Sequence, residues 1–214
     1  MKLILCDKSK AVVDALRSAF TEFPEVDVIQ GDILEVNADA IVATSTSFGS
    51  LVYCAPFGLG VVADYRDFFG VETERKVIAL IANRCPNFEL NVGQALIAKI
   101  DVGAFTRMIV TPTMREQGCV ANTSNAYEAF RAALTAARQD AVRRLVSPGI
   151  ATGVGGIHPV RAAEMMRRAW AEVNGYDAPG PVLRINAGMQ YSGAVDPGHS
   201  HAVPLNGSHT HSIR

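Results

Sequence analysis

The segment Ala151-Thr152-Gly153-Val154-Gly155-Gly156-Ile157 constrains this chain more than any other, because it joins a strand-like stretch to a helix-like one. Glycines let the backbone turn sharply at such a junction. They also leave amides at the head of a helix, where unpaired N–H groups and the helix dipole favour anions. An earlier segment complements it. Gly31-Asp32-Ile33-Leu34-Glu35-Val36-Asn37-Ala38-Asp39-Ala40-Ile41-Val42 sets a lone carboxylate just past one apolar strand and leads into a second. The pair predicts a pocket with an acidic end for a base or sugar and an amide end for phosphates.

Strand and helix signals alternate around these segments. Strands are expected at Lys2–Cys6, Val26–Gln30, Asp39–Ala43, Gln94–Ile100, Arg107–Thr111 and Arg144–Pro148. Helices are expected from Ser9 to about Glu22, around 61–69, over 72–83, across the alanine-dense Asn122–Asp140, and over His158–Val173, where Pro159 occupies the first turn. Residues 44–60, rich in Ser, Thr and Gly, read as loop. This alternation predicts an α/β fold of three layers, with a mixed, mostly parallel sheet and helices on both faces. From Gly175 apolar periodicity disappears, so 1–174 reads as the folded domain and 175–214 as an extended, irregular tail rich in Gly, Pro and His.

Ligands of open α/β sheets bind where strands end and helix N-termini point inward. Asp32 can accept from an amino group there. Gly58-Leu59-Gly60-Val61 and Gly153-Val154-Gly155-Gly156 can present backbone N–H groups. The glycines allow close approach to a diphosphate, and a Cβ at Gly155 is expected either to clash with phosphate or to force an unfavourable backbone. The competing readings are ordinary ones: an Asp after a strand also serves as a turn or cap residue, and a glycine loop also serves as a tight connection.

The ordered set of motifs resembles the macrodomain family. The chain carries Gly31-Asp32-Ile33, then Asp39-Ala40-Ile41-Val42-Ala43-Thr44-Ser45-Thr46, Gly58-Leu59-Gly60-Val61, and Pro148-Gly149-Ile150-Ala151-Thr152-Gly153-Val154-Gly155-Gly156. Thr111-Pro112-Thr113-Met114-Arg115 and Thr123-Ser124-Asn125-Ala126-Tyr127 are similar to segments of a bacterial and phage branch. The resemblance spans roughly residues 1–173. It implies binding of ADP-ribose, free or attached to a macromolecule, without any cofactor. Asp32 and Ile33 would hold adenine, Gly58 to Val61 one side of the diphosphate, and Thr152 to Gly156 the other.

Departures from the family pattern bear on catalysis. Hydrolytic macrodomains carry an Asn near the distal ribose and often an acid after the first glycine loop. Thr46 and Val62 stand at those places here, with Asp64 two residues further on. A valine cannot orient or deprotonate water. The resemblance therefore implies binding with weak or absent ADP-ribosyl hydrolase activity, and leaves Thr46 and Asp64 as the candidates for any catalytic role.

Four of the five histidines form two H-x-H pairs, His199 with His201 and His209 with His211. In an extended strand such residues share one side about 6.5–7 Å apart and can reach one ion of Fe, Zn or Ni. The segment resembles metal-binding stretches of phage tail fibres, which opens a second reading: a phage or prophage tail-associated protein that self-associates through its tail. The plainer alternative is a weakly chelating extension. His158, alone at a helix start, reads as a capping or packing residue.

Composition excludes several classes. The chain has 214 residues, 49% hydrophobic and 19% charged, with net charge -1, and its Lys and Arg are scattered. Nothing in that pattern points to nucleic acid or an anionic membrane. Apolar runs are too short to span a bilayer, and Asp7 interrupts the apolar start of the chain. A cytoplasmic location is expected, or a virion if the chain is phage-encoded. Cys6, Cys54, Cys85 and Cys119 are widely spaced and read as free thiols. A Rossmann-type methyltransferase fits less well, since Lys8-Ser9-Lys10 follows the first strand where a glycine turn is needed.

Overall fold

A computed structural model describes residues 1–51, 65 and 67–176. Its elements run β1 (Lys2–Asp7), α1 (Lys10–Ala19), β2 (Val26–Gln30), a short 3-10 turn (Ile33–Glu35), β3 (Ala40–Thr46), α2 (Val71–Arg84), a second 3-10 turn (Pro86–Phe88), β4 (Leu96–Val102), β5 (Phe105–Met114), α3 (Asn125–Gln139), β6 (Arg144–Ser147) and α4 (Pro159–Asn174). Residues 65 and 67–69 are also helical. No helix among the described residues is long and apolar enough to cross a membrane.

The strands form one sheet in the order β2-β1-β6-β3-β5-β4. Every pairing is parallel except that of β4 with β5. Strand side chains alternate between faces, and here both faces are buried. Leu3, Leu5, Ala40, Val42, Ile109 and Leu145 pack with α1, α3 and α4 in one core. Their neighbours Ile4, Cys6, Ile41, Ala43, Met108, Val110 and Val146 pack with Val77, Ile81, Tyr65 and Phe69 in the other. This is why the inner strands are continuous apolar runs. Helix α3 reaches the sheet through Ala126, Ala129, Ala133 and Ala137, all fully buried, whose small side chains permit close approach. Gly175 ends α4 in the left-handed conformation at φ 73, where glycine carries no Cβ penalty.

Several boundaries differ from the sequence reading, and two of them bear on the site. Strand β3 continues through Thr44, Ser45 and Thr46, which pair with Thr111, Pro112 and Met114 of β5. These polar residues are compatible with a buried strand because a partner strand covers them and the Ser45 hydroxyl donates to the Thr46 carbonyl. Pro112 is tolerated because β4 pairs with β5 only as far as Val110. Helix α3 begins at Asn125 instead of Asn122, since the Thr123 hydroxyl and N–H both turn back to the Val120 carbonyl.

Asp39 opens the Asp39-Ala40-Ile41-Val42 motif, and its carboxylate accepts the N–H groups of Arg143 and Arg144. Its backbone also bonds to Arg144 and Thr106. Asp39 thus ties the start of β3 to β6, at the strand ends remote from Thr46 and Ser147.

Candidate functional site

Strands β1, β3, β5 and β6 deliver Asp7, Thr46, Met114 and Ser147 to the same end of the sheet. At this end Asp7 is the pivot. Its side chain is nearly buried; one carboxylate oxygen accepts the Ser9 N–H and the other the Gly149 N–H at 3.2 Å. Its backbone carbonyl accepts the Gly31 N–H at 3.1 Å. One residue therefore fixes both the turn that carries Asp32 and the loop that follows β6.

Asp32 caps the short 3-10 turn. One oxygen accepts the Leu34 N–H at 3.0 Å, and the other lies 3.0 Å from the Lys8 ammonium. The Leu34 N–H chiefly holds the Asp32 carboxyl below its usual value; burial opposes it, and Lys8 adds to the lowering. The side chain remains 30% exposed, and each carboxylate oxygen has a further lone pair to offer. The Ile33 side chain turns into the core, while its N–H has no acceptor among the described residues. An acceptor and a donor thus stand side by side at this turn.

The loop after β6 is built to present amides. The Thr152 hydroxyl donates to the Gly149 carbonyl, Gly156 N–H to Gly153, and Ile157 N–H to Ala151. Ala151 at φ 59 and Gly156 at φ 68 take left-handed backbone at its two ends. In between, the N–H groups of Thr152, Gly153, Val154 and Gly155 find no acceptor among the described residues. Consecutive unpaired amides can bind an anion where they converge.

The glycines in this loop differ in what surrounds them. A Cβ on Gly153 would meet nothing within 4 Å. A Cβ on Gly155 would stand 2.8 Å from the Ala151 carbonyl oxygen and 3.0 Å from Val120, so the chain itself excludes a side chain there. Packing of the chain itself therefore excludes a side chain at Gly155, whereas Gly153 is open to one.

Sequence reasoning missed the support behind this loop. Val120 donates its N–H to the Gly155 carbonyl at 2.8 Å, and the Arg161 guanidinium donates to the carbonyls of Ala121 and Thr123. The Asn125 side chain donates to the Thr113 carbonyl at 2.8 Å. The segment linking Thr111–Arg115 to Thr123–Tyr127 is thus the buttress of the glycine loop. A signal existed in the proximity of those motifs, but their partner is remote in sequence.

Thr46 is placed at the end of β3 and is almost buried, at 8% exposure. His158 is the N-cap of α4, with no side-chain capping bond and an exposed side chain. Gly58, Leu59, Gly60, Val61, Val62, Asp64 and Cys54 lie outside the described residues, as do His199, His201, His209 and His211. No group of His, Cys, Asp and Glu among the described residues could hold a metal ion. Cys6 is buried and its thiol is pushed up to about 11, by burial first and then by Asp7 and Asp32. Cys119 is exposed.

Comparison with known proteins places the fold in a family. A sequence profile described as Macro domain matches residues 54–166. An uncharacterized protein of Aquifex aeolicus (strain VF5) is 31% identical over 142 residues, or 66% of this chain and 78% of its own length. Among solved structures, the macrodomain of Mycobacterium tuberculosis DarG superposes with a TM-score of 0.55 at 16% identity, covering 70% of this chain and 91% of its own. Thermosipho africanus DarTG in complex with ADP-ribose gives 0.54 at 12% identity over 67% of this chain and 38% of its own. At these identities the structural likenesses speak to the fold alone. With the profile matching more than half its length and the same fold in both solved structures, this chain belongs to the macrodomain family.

Proposed function

We propose that this chain binds ADP-ribose, or an ADP-ribosyl group carried by a macromolecule, at the end of the sheet organised by Asp7. The observation that carries the reading is the run of unpaired amides from Thr152 to Gly155, tied through Asp7 to the turn holding Asp32. A diphosphate suits the amides. An adenine edge, which offers an amino donor beside a ring-nitrogen acceptor, suits the Asp32 carboxylate and the Ile33 N–H. Thr152, Gly153, Val154, Gly155 and Gly156 would cradle the diphosphate from one side, with Gly58 to Val61 on the other and Thr46 toward the distal ribose. The solved DarTG complex contains ADP-ribose, which supports the ligand class.

Hydrolysis is proposed to be weak or absent. Thr46 offers a hydroxyl in place of an amide, and Val62 offers no proton-transfer group. Calorimetric titration with ADP-ribose, run beside a de-ADP-ribosylation assay, tests both halves. No heat of binding rejects the ligand, and rapid turnover rejects the assignment as a binder. The His199/His201 and His209/His211 pairs carry a separate proposal, a transition-metal site formed within or between tails. Metal content and mass in solution, measured with and without EDTA, test it.

A further inference from the structure

Strand β4 ends the sheet, and among the described residues it pairs with β5 alone. Beside it runs a groove of about 780 Å³ whose walls come from α2 and α3 and whose floor is Ala95 to Lys99. Alternate strand residues point to opposite faces, so five consecutive residues can line one groove only along the backbone edge. A second hollow of about 410 Å³ shares Arg84, Leu96 and Ala136 with the first and continues it to Gly93. Among the described residues, the edge is therefore open from Gly93 to Lys99.

The unpaired charge lining this groove among the described residues has one sign. Lys76 and Arg84 on α2 and Lys99 on β4 are exposed, and none is in an ion pair among the described residues. The carboxylate in the lining, Asp140, is already paired with Arg107. A lone edge lysine commonly discourages pairing between copies of a chain. Three uncompensated cations flanking a groove of this length do more: they repel a second copy and attract an acidic strand. Leu80, Leu96 and Ile97 supply apolar surface between them for alternate side chains.

We propose that this edge is a docking site for an extended acidic segment of a partner protein, which adds to β4 as a further strand. Main-chain hydrogen bonds to β4 would supply affinity, and Lys76, Arg84 and Lys99 would select acidic side chains. The surface is independent of the ADP-ribose site and leaves that pocket free.

The test uses the full chain and a labelled eight-residue peptide alternating Glu and Val, followed by fluorescence anisotropy. Controls are a Lys/Val peptide and the acidic peptide N-methylated at alternate amides. The acidic peptide should bind, protect the amides of residues 95–99 from hydrogen exchange, and weaken with salt. The combined Lys76→Ala, Arg84→Ala, Lys99→Ala variant should bind it about tenfold more weakly while keeping its melting temperature and ADP-ribose affinity. Failure of the acidic peptide to bind overturns the proposal. So does equal binding by the N-methylated or the Lys/Val peptide, or a concentration-dependent dimer of the chain that the triple variant abolishes.

Discussion

The Asp7 carboxylate accepts the Gly149 N–H at 3.2 Å across 142 residues of sequence, joining the first strand to the loop that presents the unpaired amides. The same side chain also accepts the Ser9 N–H, so both oxygens are committed to backbone. Asp7→Ala should leave two donors without their acceptor. Hydrogen bonds to charged groups contribute about 1.5–3 kcal/mol each, so thermal unfolding should show a clear loss of stability and titration a matching loss of ADP-ribose affinity. A variant with normal stability and normal binding would mean that the loop holds its shape without Asp7.

Gly153 and Gly155 should separate binding from folding. Gly153 faces open space, so Gly153→Val should keep the melting temperature and set methyl groups over the unpaired amides, with at least about a tenfold loss of affinity. Gly155→Val forces a Cβ against the Ala151 carbonyl and Val120, and overpacking of this kind costs about 1–3 kcal/mol. Calorimetric unfolding and ligand titration of the two variants check both outcomes.

Asp32→Ala should weaken ADP-ribose binding by about ten- to a hundred-fold through loss of a charge-assisted hydrogen bond. The pH dependence has a definite sign. Because the carboxyl is held below its ordinary value, it stays ionised to lower pH than a free carboxylate. Its contribution to stability and binding is present above the unfolded carboxylate range and is lost as pH falls through the lower folded value. Lys8→Met removes one of the groups that lower it, so the acid loss of binding should move to higher pH while the neutral-pH fold persists.

The thiols should differ in reactivity. With Cys6 pushed up to about 11, only about a thousandth of it is thiolate at pH 8, and it is buried as well. Alkylation followed by peptide mapping should find Cys119 modified well before Cys6. Early loss of Cys6 would indicate that the β1 end of the core opens readily.

Much of this arrangement is legible in the chain itself. Apolar runs bounded by glycine and polar clusters mark β2 to the residue, and the other strands to within a few. The junction of β6 with α4 is visible because glycines and Pro159 punctuate it. What stays hidden depends on contacts remote in sequence. Thr44 to Thr46 read as loop because their hydroxyls look solvent-directed, yet β5 covers them. Asp7 reads as an ordinary strand-end carboxylate until Gly149 is brought beside it. The packing of Val120 and the Ala151 carbonyl around Gly155 is equally hidden, because both lie outside the glycine motif itself.

The central claim is that the unpaired amides of Thr152 to Gly155 hold the diphosphate of ADP-ribose. Isothermal titration of ADP-ribose into the wild-type chain and into Gly153→Val tests it most directly. Saturable one-to-one binding that the variant loses, with both proteins unfolding at the same temperature, is the predicted result. Equal affinity in the two proteins, or no binding to the wild type, would contradict it.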